Sequence, residues 1–196
     1  MREDPRVIRT RETLRQTLRT LLADRSLDDI SVALLCREAG VHRTTFYGHA
    51  QSVRQFAIAQ YSDDLERIAT VPVDAGEETP LHVAALYLTS LHEMLAHIAD
   101  DRGIYRSLFA SESRGAFRTA LEARLRPRAL RALDVFAAQG VAGAPSLGVE
   151  RAEAAAFIAG ALVGTIEVWT VSEEVDVVAA SARILQLMPR WWPATG

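Results

Sequence analysis

Residues 31–49 read SVALLCREAGVHRTTFYGH, and this stretch decides the fold. Ser31 is a residue type whose side-chain oxygen accepts from the free backbone N–H groups that open a helix. Ile30 before it and Leu35 after it occupy the two positions of a hydrophobic staple. The spacing predicts a short helix over residues 32–39, stopped at Gly40, the residue best able to take the left-handed conformation. A second short helix follows over about 42–48. Small Ala33 and Ala39 let the two helices approach, and Val41 and Phe46 supply core contacts, which is a helix-turn-helix layout. Its second helix turns His42, Arg43, Thr44 and Thr45 outward, where they can reach base edges in a major groove. Ser31 opens a helix whose free N–H groups suit a phosphate.

The rest of the chain reads as helix. Of its 196 residues 49% are hydrophobic and 24% charged, the balance of a globular domain and not of a disordered chain. With 11 glycines and 7 prolines there is too little turn chemistry for an all-β fold. Upstream, residues 6–23 carry Val7, Leu14, Leu18, Leu21 and Leu22 at helical spacing, with Arg11, Arg15 and Arg19 as a separate stripe. Downstream, a helix from about 52 to 70 leads to a proline-containing connection up to Pro80. Over residues 80–101, Leu81, Ala84, Leu88, Leu91, Leu95 and Ile98 form an apolar seam flanked by Tyr87 and His92, with His82 and His97 outward. Further helices are expected from about 104, over 114–139 with a kink or break at Pro127, over 149–171 and over 176–188. The architecture is all-α: an N-terminal helix-turn-helix module over 1–52, then a helical body over 53–196 joined to it by the helix from about 53 to 70.

Charge is divided unevenly. Residues 1–60 hold 10 arginines against 7 acids, whereas residues 61–196 hold 12 against 18, a basic module on an acidic body. The single cysteine, Cys36, excludes an internal disulfide and any multi-cysteine metal site. The charged N-terminus leads into no apolar stretch of signal-peptide type. The longest nearly apolar run, residues 154–166, is shorter than the ~20 residues a bilayer requires. The expectation is a soluble, cytoplasmic protein with no membrane partner.

Together, Ala39-Gly40-Val41, Thr45-Phe46-Tyr47-x-His49 and the helix before them resemble the TetR family of bacterial transcriptional regulators. The resemblance is specific over residues 6–65; beyond Pro80 it rests on helix count, length and the style of the penultimate helix. It implies that Ser31 and the N–H groups near Val32 hold a phosphate. Arg43, Thr44 and Thr45 would lie along the groove, and Tyr47 and His49 would touch phosphates. Two positions depart from the family pattern. Ala50 stands where a phenylalanine is usual, and Val53 where a lysine heads the next helix. Arg54, about 100° further round the helix, is the candidate replacement for that phosphate contact.

Catalytic and metal readings fare poorly. His92-Glu93-x-x-x-His97 places its histidines about 140° apart, so one metal cannot bridge them on a straight helix. No third ligand is apparent, Cys36 reads as core, and neither a metal, a cofactor nor a catalytic set is expected. His92 reads first as a core or interface histidine and second as a pocket group; Tyr87, Tyr105 and Trp169 carry the same pair of readings. Glu167 interrupts an apolar helix, so it faces solvent, pairs with an arginine or meets a ligand, in that order. Should Tyr87, His92, Tyr105, Glu167 and Trp169 converge, they would line an apolar pocket for a lipophilic or aromatic effector, with Glu167 favouring a cation.

The last two helices are apolar nearly all round. Ala156, Gly160 and Gly164 form a stripe of small residues beside Phe157. With Ile184, Leu187 and Met188 they suit contact with a second copy of the chain. The function expected is a homodimeric repressor that leaves a palindromic double-stranded operator when a small molecule binds. The rivals are a DNA-binding regulator controlled by abundance or a protein partner, and, less favoured, an enzyme in a helical bundle.

Overall fold

The computed structural model describes residues 4–70 and 78–193, which form nine α-helices and no strand. The expected connection after Thr70 lies largely outside the described residues.

Helix α1 (Pro5–Leu22) opens at Asp4, whose side chain accepts from the Arg6 N–H at 2.8 Å, with proline at the first position, where no N–H is needed. It buries Leu14, Leu18 and Leu22, one per turn, while Val7 at its start stays exposed. A 3-10 turn over Leu27–Asp29, which the sequence reading missed, buries Leu27 and leads into α2 (Val32–Ala39). Ser31 caps α2 by accepting from Leu34 N–H at 3.1 Å, and Ile30 and Leu35 are both buried. Gly40 ends α2 at φ 64°, and Val41 N–H returns to the Cys36 carbonyl at 3.0 Å. The five-residue α3 (Arg43–Tyr47) follows.

Helix α4 (Val53–Ala69) belongs to both halves. Val53, Phe56 and Ala57 complete the core under α2 and α3, whereas Tyr61, Leu65 and Ala69 are buried further along toward the body. The body comprises α5 (Pro80–Asp100), α6 (Arg102–Ala110), α7 (Arg114–Ala138), α8 (Gly148–Val171) and α9 (Val177–Gln186). Pro127 does not end α7, which runs unbroken through it. Both Pro127 and Ala123, whose carbonyl loses its intrahelical donor, are exposed, so water can take the freed group.

The α5 seam is rotated from the expected one. Val83, Tyr87, Ser90 and Met94 are buried along with Ala84, Leu91, Leu95 and Ile98, whereas Leu81 is 57% exposed. Helices α4, α7, α8 and α9 all pack on α5, so its buried arc is wider than one stripe. Helix α8 is long and apolar enough to cross a membrane by length and composition. Half of its most apolar window is buried within the fold, and the remainder faces α9 and an open groove.

Gly40 isolates a backbone effect, because a Cβ built there meets nothing within 4 Å. Gly40→Ala is expected to lower stability by about 1–2 kcal/mol through left-handed strain alone, read as a shift of the urea midpoint at unchanged slope.

Candidate nucleic-acid interface

The second helix of the motif is held by one side chain. Phe46 is fully buried, with its ring 6.0 Å from Phe56 of α4 and 5.8 Å from Tyr47. That anchor leaves His42, Arg43, Thr44 and Thr45 exposed, with Tyr47, one turn beyond Arg43, 58% exposed. His49 is half-buried. The result is a rigid, polar ridge bearing a guanidinium, two hydroxyls, an imidazole and a phenol. Ser31 is exposed and Val32 half-buried at the neighbouring start of α2.

At the head of α4 the two departures from the family pattern are core residues: Ala50 and Val53 are both buried. Ser52 caps the helix by accepting from Gln55 N–H at 3.1 Å, and Gln55 Oε1 accepts from Gln51 N–H at 2.8 Å. Arg54 is engaged inside the protein. Its guanidinium spans Asp28 of the 3-10 turn at 3.0 Å and Glu112, before α7, at 2.9 Å. The hydrogen bonds of both acids raise its pKa.

Three further links fasten this module to the body. Arg15 of α1 lies 3.3 Å from Asp64 of α4, and Arg19 lies 2.6 Å from Asp101, which precedes α6. The Leu27 N–H donates to Ser107 Oγ of α6 at 3.2 Å. The arginine stripe seen in the sequence is therefore, in part, the joint between the halves.

The five expected pocket residues do not converge. Tyr105 is fully buried among Tyr61 (5.6 Å), His97 (6.0 Å) and Phe117 (6.3 Å), and burial pushes its hydroxyl pKa well up. His97, expected to face outward, is half-buried, with Nε2 inside that cluster's shell. Tyr87 lies elsewhere, stacked 5.5 Å from Trp192 and donating from its hydroxyl to the Arg128 carbonyl at 2.5 Å. His92 is half-buried on α5. Trp169 lies beneath Arg102, whose guanidinium carbon is 4.4 Å from the ring centre. Arg102 and Arg106 of α6 also donate to the Thr170 and Ser172 carbonyls, which closes the C-terminus of α8.

Glu167 follows the second of its three readings. It is 9% exposed and accepts from Arg114 at 2.6 Å and from Arg118, both on α7. With two arginines already on it, Glu167 offers nothing to a cationic ligand. Among the described residues no three His, Cys, Asp or Glu side chains group as metal ligands. Cys36 is buried, and burial raises its thiol pKa against the lowering effect of Arg43.

The apolar face of α8 and α9 forms an open groove of about 540 Å³. Phe157, Gly164, Ile184, Leu187 and Met188 of the expected interface set line it, as does Trp169. Phe157 is 59% exposed and Leu187 65%, while Ala156 and Gly160 are half-buried on the same helix.

Sequence reasoning missed Arg128, a buried cation on α7. The signal was present: Leu121, Leu125, Arg128 and Ala132 recur at spacings of four and three, which places an arginine within an apolar stripe.

No family model matches the sequence, and no curated protein matches it. Solved structures do resemble it. The fatty acid degradation regulator FadR from Bacillus halodurans is 16% identical, with 96% of each chain covered and a TM-score of 0.66. RolR in complex with resorcinol is 23% identical over 95% of this chain and 90% of that one, at a TM-score of 0.60. The repressor AlkX from Dietzia sp. strain DQ12-45-1b, described as of the TetR family, is 18% identical over 92% and 94%, at 0.50. At these identities the likeness is one of fold.

The Glu167 pairs set a pH dependence. Burial alone would raise the carboxyl pKa, but hydrogen bonds from Arg114 and Arg118 outweigh it and hold the group below its usual range. Such a carboxylate contributes stability above its unfolded pKa, about 4.3, and loses it as pH falls through the lower folded value. Glu167→Gln is expected to cost about 2 kcal/mol at neutral pH, since hydrogen bonds to a charged group are lost. The gap between variant and wild type in thermal melts should close as pH falls below about 4.

Proposed function

We propose that this chain, which has the fold of the TetR-family regulators, is a cytoplasmic, homodimeric transcriptional regulator, not an enzyme. It acts as a repressor that a small molecule releases from a palindromic operator. One observation carries the reading: exposed His42, Arg43, Thr44 and Thr45 stand on a short helix anchored by fully buried Phe46. A polar ridge held rigid by the core is what base-edge contact in a major groove requires. In this reading residues 1–52 form the DNA-binding unit and residues 53–196 the effector-binding and dimerisation unit. Ser31, the backbone at Val32, Tyr47 and His49 hold phosphates, and Arg54 joins them when it leaves Asp28 and Glu112.

The occupant of the α8–α9 groove is a second copy of the chain. Its exposed apolar side chains and the half-buried glycines of α8 support this, as does the need of an HTH reader for a partner to meet two half-sites. Release of DNA follows if a ligand prefers a body conformation in which the two recognition helices are misplaced. The ties from α1, the 3-10 turn and Arg54 to Asp101, Ser107 and Glu112 are the route by which movement near α6 reaches the module. The solved complex of RolR with resorcinol supports control by a small molecule.

Selection of genomic fragments by the purified protein tests the reading. The selected sites should be palindromes whose half-sites lie about 34 Å apart, or slightly more, and affinity should fall steeply with salt. Arg43→Ala should cost about 1–3 kcal/mol and relax base preference, whereas Tyr47→Phe should weaken binding to all sequences alike. Both variants binding the selected operator like wild type would refute the helix assignment.

Dimerisation has its own measurement. A Cβ at Gly160 meets nothing within 4 Å inside the protomer, so Gly160→Ala adds a methyl group that the fold accommodates and that can clash only with a partner. Overpacking of about 1–3 kcal/mol predicts a dimer weakened about fivefold or more by light scattering. A wild-type chain that is monomeric at micromolar concentration would overturn the assembly.

A further inference from the structure

Four charged side chains are buried among the described residues: Asp64, Asp101, Glu167 and Arg128. The three carboxylates each have an arginine within ion-pair distance. Arg128 has no carboxylate of any described residue in reach, although it is 4% exposed. Its guanidinium carbon lies 4.1 Å from the Tyr87 ring centre, and one nitrogen donates weakly to the Tyr87 carbonyl at 3.4 Å. Nε has no acceptor. The nearby charge of Arg131 has the same sign, and burial lowers the Arg128 pKa to about 10. A ring face compensates a buried cation in part, but an isolated buried charge is held at a cost to stability.

Arg128 borders a small, partly open space, of about 20 Å³, shared with Tyr87 and Leu91 of α5, Ile158 and Leu162 of α8, and Trp192. That volume admits about one water molecule and nothing larger. One wall of it is Trp192, 8% exposed, close to the end of the described chain; Leu185 and Met188 complete that side. Its ring lies 5.5 Å from Tyr87 and 5.1 Å from Phe136, and its backbone N–H returns to the Pro189 carbonyl at 2.8 Å in a short turn. Moving this one indole would open an apolar hollow of its own size with an unpaired guanidinium in the wall. A guanidinium fork matches a carboxylate through two parallel hydrogen bonds.

We infer that the hollow beneath Trp192 is the effector site, and that it takes an anionic ligand: a carboxylate that pairs with Arg128 on an apolar ring that replaces the Trp192 indole. The inference rests on the regulator reading only in naming the ligand an effector. It replaces the expectation of a cation beside Glu167, whose carboxylate is already spent on Arg114 and Arg118.

The probes are 2-naphthoate, close to indole in size, and its uncharged isostere 2-naphthamide, titrated calorimetrically into the full chain without DNA. Wild type should bind 2-naphthoate at least tenfold more tightly than the amide. Trp192→Leu, which shrinks the plug, should bind 2-naphthoate more tightly still. Arg128→Met should bind both probes equally. Its ligand-free melting temperature should not fall below wild type, because the residue removed is an uncompensated buried charge. Absence of saturable 2-naphthoate binding to both wild type and Trp192→Leu at millimolar concentration would overturn the inference. So would a preference for the carboxylate that survives Arg128→Met, or an Arg128→Met protein that melts several degrees lower with that preference intact. Failure of the operator selection would leave this binding result standing, and failure of the titration would leave DNA binding untouched.

Discussion

Two buried carboxylates govern how the halves of this molecule meet. Asp64 on α4 and Asp101 before α6 are 6% and 8% exposed, and a carboxylate so placed is costly without a cation beside it. Arg67 on α4 itself answers Asp64 in part, and Arg15 and Arg19 of α1 supply the remaining cations. The two α1 arginines can do so only when α1 lies across α4 and the start of α6 with its leucines turned the other way, into the core. The orientation of the module is thus set by charge pairing at one face of α1 and apolar burial at the other. Arg54 adds a third tie from the head of α4. An element that moves α6 works against all of these at once, and a joint made of ion pairs can re-form in a second position more readily than an interlocked apolar core.

The body treats its charges in two ways. Glu167 and the C-terminus of α8 are answered, by Arg114 and Arg118 on one side and by Arg102 and Arg106 on the other. These contacts fasten α8 to α7 and α6, while the flank of the helix beside Glu167, with Phe157 and Gly164, lines the groove. Arg128 is left unanswered in the same bundle. A helical body whose other buried charges are neutralised, and which retains one that is not, carries a stored electrostatic preference for an anion.

The helix-turn-helix and its neighbours were legible because their determinants are local. Ser31, Gly40 and the Ile30–Leu35 staple act within a few residues of themselves, and α2 begins and ends where they direct. The Phe46 anchor and the outward ridge follow from spacing within a single turn of helix. The α5 seam was misread because a helix covered by four neighbours shows no single stripe; Tyr87, expected at the edge, is buried within it. That α7 continues through Pro127 was not legible, because it depends on whether the freed Ala123 carbonyl meets solvent, which spacing does not tell.

The sequence by itself determined that the chain is all-helical, where its helices begin and end to within a few residues, and which short helix bears the polar ridge. Those properties depend on capping, periodicity and turn chemistry, interactions among residues close along the chain. Only the tertiary structure decided the partners of the charges. Arg15 with Asp64, Arg19 with Asp101, Arg54 between Asp28 and Glu112, Glu167 under two arginines and Arg128 with none are pairings across tens of residues. All 22 basic residues of the chain are arginine, so residue type could not distinguish a cation bound for solvent from one bound for the core. Burial distinguishes them, and burial is a property of how the helices pack.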